Sequence, residues 1–118
     1  MDTLGQPIHE QLILAIERLV SYLQQFNDSH WAAILSNNIV LLRRGDPHGA
    51  ERFLEHYGGM GSLNDLWLFE TNGHKVEPSS ESCINLELNQ LRSAAWQLAC
   101  EVTRTSNNSF NADGSTAA

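Results

Sequence analysis

Apolar residues near the start of the chain recur at spacings of three and four: Ile8, Leu12, Ala15, Ile16, Leu19, Leu23 and Phe26. On a helix of about 3.6 residues per turn these positions share one face. Glu10, Glu17, Arg18 and Gln24 fall on the other. Pro7 suits the first helical position, where its missing N–H costs nothing. The spacing predicts an amphipathic helix from about Pro7 to about Phe26. Asn27-Asp28-Ser29 interrupts the pattern, and either Asp28 or Ser29 can cap the next helix by accepting from its free N–H groups.

A second stripe of Trp31, Ile34, Leu35, Leu41 and Leu42 predicts a helix from about Ser29 to about Arg44. Asn38 sits inside that stripe and needs partners for its amide. It fixes the packing register, stays partly exposed, or lines a pocket. Gly45 is placed to end the helix. Asp46-Pro47 reads as an N-cap acid followed by proline at the first helical position. The third helix, with Ala50, Phe53, Leu54 and Tyr57 on its apolar side, then runs to about Tyr57, where Gly58 can terminate it.

The cleanest amphipathic pattern comes last. Ile84, Leu88, Leu91, Ala95, Leu98 and Val102 alternate by four and three, predicting a helix from about Ser80 to about Arg104. Trp96 and Ala99 widen the stripe, which suggests contact with more than one neighbour. Between the third and last helices lies a long segment, 58–79. Its apolar run Leu66-Trp67-Leu68-Phe69 is open to two readings, a buried extended piece or a single helical turn. Asn72-Gly73 signals a turn, with Phe69-Glu70 and Lys75-Val76 flanking it as a small hairpin.

No internal repeat is present. Short links between the first three helices point to a mainly α fold. The expected architecture is a four-helix antiparallel bundle with a structured Gly-rich loop and a short extended or 3-10 segment. Residues 1–105 form its single helical domain. Residues 106–118 carry one aromatic, Phe110, among Asn, Ser, Gly and Ala, the composition of a disordered tail. A gap as long as 58–79 between helices is often a functional loop.

Composition narrows the function classes. The formal charge of −7 repels a phosphate backbone, so nucleic acid is not an expected partner. An acidic surface suits solubility and also a basic protein partner. Arg43-Arg44 is the one basic cluster, and at a helix end it complements the dipole. No apolar run approaches the roughly 18 residues of a membrane span. The N-terminal stretch lacks a basic and an apolar signal region, so the expected compartment is the cytoplasm. Cys83 and Cys100, if on one helix, are roughly 25 Å apart and cannot bridge; reduced, buried thiols are expected.

The candidate site is the glycine-rich loop: Gly58, Gly59, Met60, Gly61, Ser62, Asn64, Asp65 and Trp67. Glycines leading into a helix N-terminus can present backbone N–H groups to an anion. The Lys and Ser/Thr pair of a nucleotide-binding loop is absent, and no strand precedes. Ser62 has no assignable general base nearby, so no catalytic residue is named. The structural reading is a close-packed turn. There the glycines take unusual angles, Met60 fills the core, and Ser62 or Asn64 caps the succeeding residues. Asp65 either caps the next turn or accepts from the N–H groups of the glycine loop. His48, Glu51 and Glu55 share a helix face and make a conceivable metal half-site, but the same positions form a solvated face. Neither the paired Glu-x-x-His motifs of a di-iron bundle nor zinc spacings occur, so no metal or cofactor is expected.

Trp31-Ala32, Leu41-Leu42 with Gly45-Asp46, and Tyr57-Gly58-Gly59-Met60-Gly61-Ser62-Leu63-Asn64-Asp65-Leu66 together resemble a family of small uncharacterised bacterial proteins. Their signature is YGGMGS-[FL]-ND after two or three helices. The resemblance covers roughly residues 10 to 103. It implies a helical architecture and a focal loop, and no activity. Members are similar to small helical proteins encoded beside bacterial toxins. The end of the chain, Ser106–Ala112 and Gly114–Ala118, resembles the read-through ends of genes on integron cassettes, which implies that it is dispensable for folding.

Three alternative functions stand, the first favoured. The first is a non-enzymatic protein-interaction protein of accessory, immunity-like or regulatory kind, acting through the glycine loop. The second is a small-molecule or metal-binding domain, or an enzyme, using the loop with His48, Glu51 and Glu55. The third is a homodimer that buries the surface around Trp96.

Overall fold

A computed structural model of the chain describes residues 7–58 and 61–114, with side chains described as far as Thr105. Among the described residues it is mainly helical and contains no strand. Four α-helices follow one another: α1 (Ile8–Gln25), α2 (Ser29–Arg43), α3 (Gly49–Leu54) and α4 (Glu81–Gly114). Three 3-10 turns, Leu63–Asp65, Glu70–Asn72 and Pro78–Ser80, punctuate the segment between α3 and α4.

The ends of α1 and α2 use the same device. Asn27 lies at φ 70 and Gly45 at φ 78, each just past its helix. After α1, Asp28 N–H donates to Leu23 O and Asn27 N–H to Gln24 O. After α2, Asp46 N–H donates to Leu41 O and Gly45 N–H to Leu42 O. These are the paired bonds of the Schellman termination, which needs a left-handed residue at its corner. At the start of α2 the cap is Asp28, whose side chain accepts from Trp31 N–H.

Helix α3 is shorter than the expected stretch to Tyr57. Asp46 Oδ1 takes the His48 N–H at 2.8 Å, so a turn precedes the first helical residue. At the far end His56 and Tyr57 donate to Phe53 O and Leu54 O, three residues back, and the last turn tightens to 3-10 geometry. Helix α4 is longer than its apolar stripe. Its backbone continues past Arg104 to Gly114, through the composition that suggested a disordered tail. Ser and Asn there are only weakly unfavourable in a helix, and no proline intervenes.

Helix α1 packs along both α2 and α4, and α3 touches both of those. The core is built from Leu12, Ile16, Leu19 and Leu23 of α1, Leu35 and Leu42 of α2, Phe53 of α3 and Leu88, Ala95 and Ala99 of α4. Each large apolar side chain removed from water contributes about 1.5–3 kcal/mol. Two residues outside the α-helices, Leu63 and Leu68, are as fully buried as these. The Leu66–Phe69 run is extended, flanked by 3-10 turns. The expected hairpin is replaced by the 3-10 turn Glu70–Asn72, closed by Gly73 at φ 88. Its flanks bond elsewhere: Lys75 N–H donates to Phe26 O of the α1–α2 turn.

Candidate functional site

The loop after α3 lies across α4 because α4 carries two polar residues in its buried stripe. Asn85, Leu88, Arg92, Ala95 and Ala99, spaced by three and four, are all buried. Their direction is toward the loop. Asn85 Oδ1 accepts from Leu68 N–H at 2.7 Å and its Nδ2 donates to Leu68 O at 2.8 Å. A single side-chain amide thus serves both polar groups of a buried extended residue, as a neighbouring strand would. A second bond from Nδ2 to Glu81 O holds the amide in place.

Arg92 does the same for the 3-10 turn. One of its guanidinium nitrogens donates to Leu63 O at 3.0 Å and to Leu66 O at 2.8 Å. Another donates to Asn89 Oδ1. Burial lowers the Arg92 pKa, and nearby Tyr57 and Asp65 oppose that shift. The Tyr57 hydroxyl donates to Arg92 O at 2.6 Å. Burial raises the Tyr57 pKa most, so its hydroxyl stays protonated and remains a donor. Leu63 and Leu66 at Arg92, then Leu68 at Asn85 and Trp67 at Glu81, set the loop running opposite to α4.

The expected site residues separate on this frame. Gly61 lies at φ 80, and its N–H donates to Asp65 Oδ2 at 3.2 Å. Asp65 therefore turns back on the loop, which is one of its two expected roles. Ser62 precedes the 3-10 turn without a side-chain cap. Its hydroxyl oxygen is buried with no hydrogen-bond partner among the described residues. None of them is thus a base within reach to activate it. Gly58, at φ 121, and the exposed Asn64 line a shallow groove of about 480 Å³ with Tyr57, Ser93, Trp96 and Gln97. Trp67 is 47% exposed, and its indole N–H donates to Glu81 Oε2 at 2.7 Å. Trp96 is 45% exposed. Gly59 and Met60 lie outside the described residues.

Two further polar clusters stand behind the loop. Asn38 is buried in the α2 stripe, and its Oδ1 lies 2.8 Å from His56 Nε2. Burial lowers the His56 pKa, with Glu55 opposing. The second cluster joins Asp28 to His74, with Oδ2 3.0 Å from Nε2 and both side chains buried. An Asp–His pair suggests base chemistry, but His74 Nδ1 already accepts from Phe69 N–H at 3.1 Å. Both ring nitrogens are thus bonded within the fold.

His48 Nδ1 is 3.1 Å from Glu51 Oε1, and both side chains are mostly exposed. They line a cavity of about 520 Å³ with His9, Asp46 and Thr103, and Glu55 is not among its walls. Among the described residues no group of three His, Cys, Asp or Glu could hold a metal ion. Cys83 is exposed, contrary to the buried thiol expected, because position 83 falls beside the apolar stripe of α4. Both cysteines are free.

Sequence reasoning passed over Asn85, Arg92 and the Asp28–His74 pair as site elements. The signal for the first two was present: each is three or four residues from Leu88, inside the stripe. No comparable signal linked Asp28 to His74, which are distant in the chain. No helix among the described residues is long and apolar enough to cross a membrane. No curated protein and no solved structure matches the chain. Residues 24–77, from the end of α1 to the approach of α4 and including the candidate loop, match the family model of a domain of unknown function, DUF6966.

Proposed function

We propose that this chain is a non-enzymatic protein-interaction protein, an accessory component of immunity-like or regulatory kind that works in the bacterial cytoplasm. In this reading the helices form an antiparallel bundle, and the Gly58–Trp67 loop with the adjoining face of α4 is its recognition surface. The observation that carries it is a contrast across the loop and the adjoining face of α4. The backbone of Leu63, Leu66 and Leu68 is held by buried Arg92 and Asn85, while Asn64, Trp67 and Trp96 stay exposed. A held backbone that presents half-exposed tryptophans lowers the ordering cost of binding, and tryptophan is a frequent anchor at interfaces. The surplus of acidic residues favours a basic partner. The link to mobile DNA rests on the likeness of the chain end to integron-cassette products.

Affinity capture from cells carrying toxin-bearing relatives tests the proposal. The expected result is a partner retained by the wild-type protein and lost with Asn64→Ala plus Trp96→Ala, at unchanged melting temperature. Recovery of no partner, or equal recovery by the double variant, overturns it. Self-association that the double variant abolishes assigns the surface to a homodimer instead.

A small-molecule-binding role is the second reading, favoured by the cavity bordered by His9, His48 and Glu51. A ligand screen by thermal shift, repeated with His48→Ala and Glu51→Ala, decides it. Stabilisation by a compound that both variants abolish supports this role, and no stabilisation of the wild type removes it.

A further inference from the structure

The α1–α2 turn and the segment after the extended run are tied together around one imidazole. Asn27 Nδ2 donates to Gly73 O at 3.1 Å, and Lys75 N–H donates to Phe26 O at 3.0 Å. Between these bonds sits His74, only 7% exposed, against Asp28, also 7% exposed. A backbone N–H can only donate. The 3.1 Å bond from Phe69 N–H therefore makes His74 Nδ1 an unprotonated acceptor. The ring proton is then on Nε2 and is donated to Asp28 Oδ2 at 3.0 Å. Asp28 Oδ1 is occupied by Trp31 N–H, as the cap of α2. The tautomer is thus dictated from both sides.

We infer that His74 is a protonation-sensitive latch between the α1–α2 turn and the segment that presents Trp67. A proton taken from solvent at Nδ1 turns the acceptor into a donor facing the Phe69 N–H. That bond must break, and Phe69 loses its tie to the ring, while Leu66 and Leu68 stay bonded to Arg92 and Asn85. The Nε2–H bond to Asp28 survives and becomes an ion pair, so the ring stays on the turn while Phe69 lets go. The loosening is therefore local. Asp28 is the charged group bonded to the ring, and His30 lines the same cleft. Glu70 and Lys75 belong to the ring's own segment. The geometry at the ring is a carboxylate oxygen facing Nε2 and a backbone N–H facing Nδ1. Neither the interaction surface nor its partner is needed for this device to exist.

The test uses isotope-labelled full-length protein. Imidazole 15N shifts at about pH 8 should report the Nε2–H tautomer of His74. Amide exchange, corrected for its intrinsic pH dependence, should show about a tenfold or larger loss of protection at Phe69 between about pH 8 and about pH 5. The core amide of Leu19 should keep its protection. His74→Gln supplies a donor and an acceptor that do not titrate, so Phe69 protection should then be independent of pH. An Nδ1–H tautomer at about pH 8, or constant Phe69 protection in the wild type, overturns the inference without any variant. An equal loss in His74→Gln assigns the effect to another group and also overturns it.

Discussion

At the scale of the residue, Arg92 is what ties the glycine-rich loop's 3-10 turn to α4. It is buried on α4, yet its bonds go to two backbone carbonyls of another segment. Replacing it with methionine keeps the volume and leaves Leu63 O and Leu66 O without donors. Arg92→Met is expected to destabilise by about 2–3 kcal/mol, the cost of stranding buried polar groups, as read by urea denaturation. An unchanged midpoint would show that water satisfies those carbonyls. His56 gives a pH prediction whose sign can be worked out. Burial lowers its pKa from the ordinary 6.5, so on acidification the unfolded chain takes up the proton first. Stability is full above the unfolded value and declines as pH falls toward the folded one. Urea midpoints measured down through that window should fall in the wild type. They should fall less in His56→Gln.

At the scale of the element, the loop after α3 is a folded unit whose geometry comes partly from glycine. Gly61 lies at φ 80, and a Cβ added there would meet nothing within 4 Å. The cost of Gly61→Val is then conformational alone, and a loss of about 1–3 kcal/mol is expected. Gly61→Asn should lose less, since Asn tolerates the left-handed region. Equal melting of wild type and the valine variant would show that the loop relaxes without penalty. The helices were readable from periodicity because each buries one stripe, and α1 and α2 match their expected spans within a residue or so. The extended run at Leu66–Phe69 was not decidable from four apolar residues. Asn85 decides it by offering both a donor and an acceptor to Leu68, which an extended residue can use and a helical one cannot.

At the scale of the whole molecule, α4 is the spine against which α1, α3 and the loop are assembled. Among the residues whose side chains are described, its apolar stripe reaches Val102, while its backbone runs on to Gly114. With one aromatic among Asn, Ser, Gly and Ala, the 106–118 stretch has little to bury, and removing it should change the unfolding free energy by less than about 0.5 kcal/mol. Calorimetry of the shortened chain checks this, and a larger loss would give the extension a structural role. The candidate site also belongs to this scale. Its residues were named from one conspicuous run, Gly58 to Trp67. The groove they border is completed by Ser93, Trp96 and Gln97 of α4.

The sequence by itself determined that four helices form, the Asp28 cap and Gly45 stop of α2, and where the glycine-rich loop lies. Those features come from local spacing and from residues that act on their immediate neighbours. Only the tertiary structure decided which side of α4 faces the loop, and that Asn85 and Arg92 hold it. Only the tertiary structure also joined Asp28 to His74, buried Ser62 Oγ, and left Trp67 and Trp96 exposed. These outcomes depend on which distant groups share a buried space. Hydrogen-bond satisfaction there is settled between segments; local periodicity can mark a buried polar position such as Asn85 or Arg92 but does not name its partner.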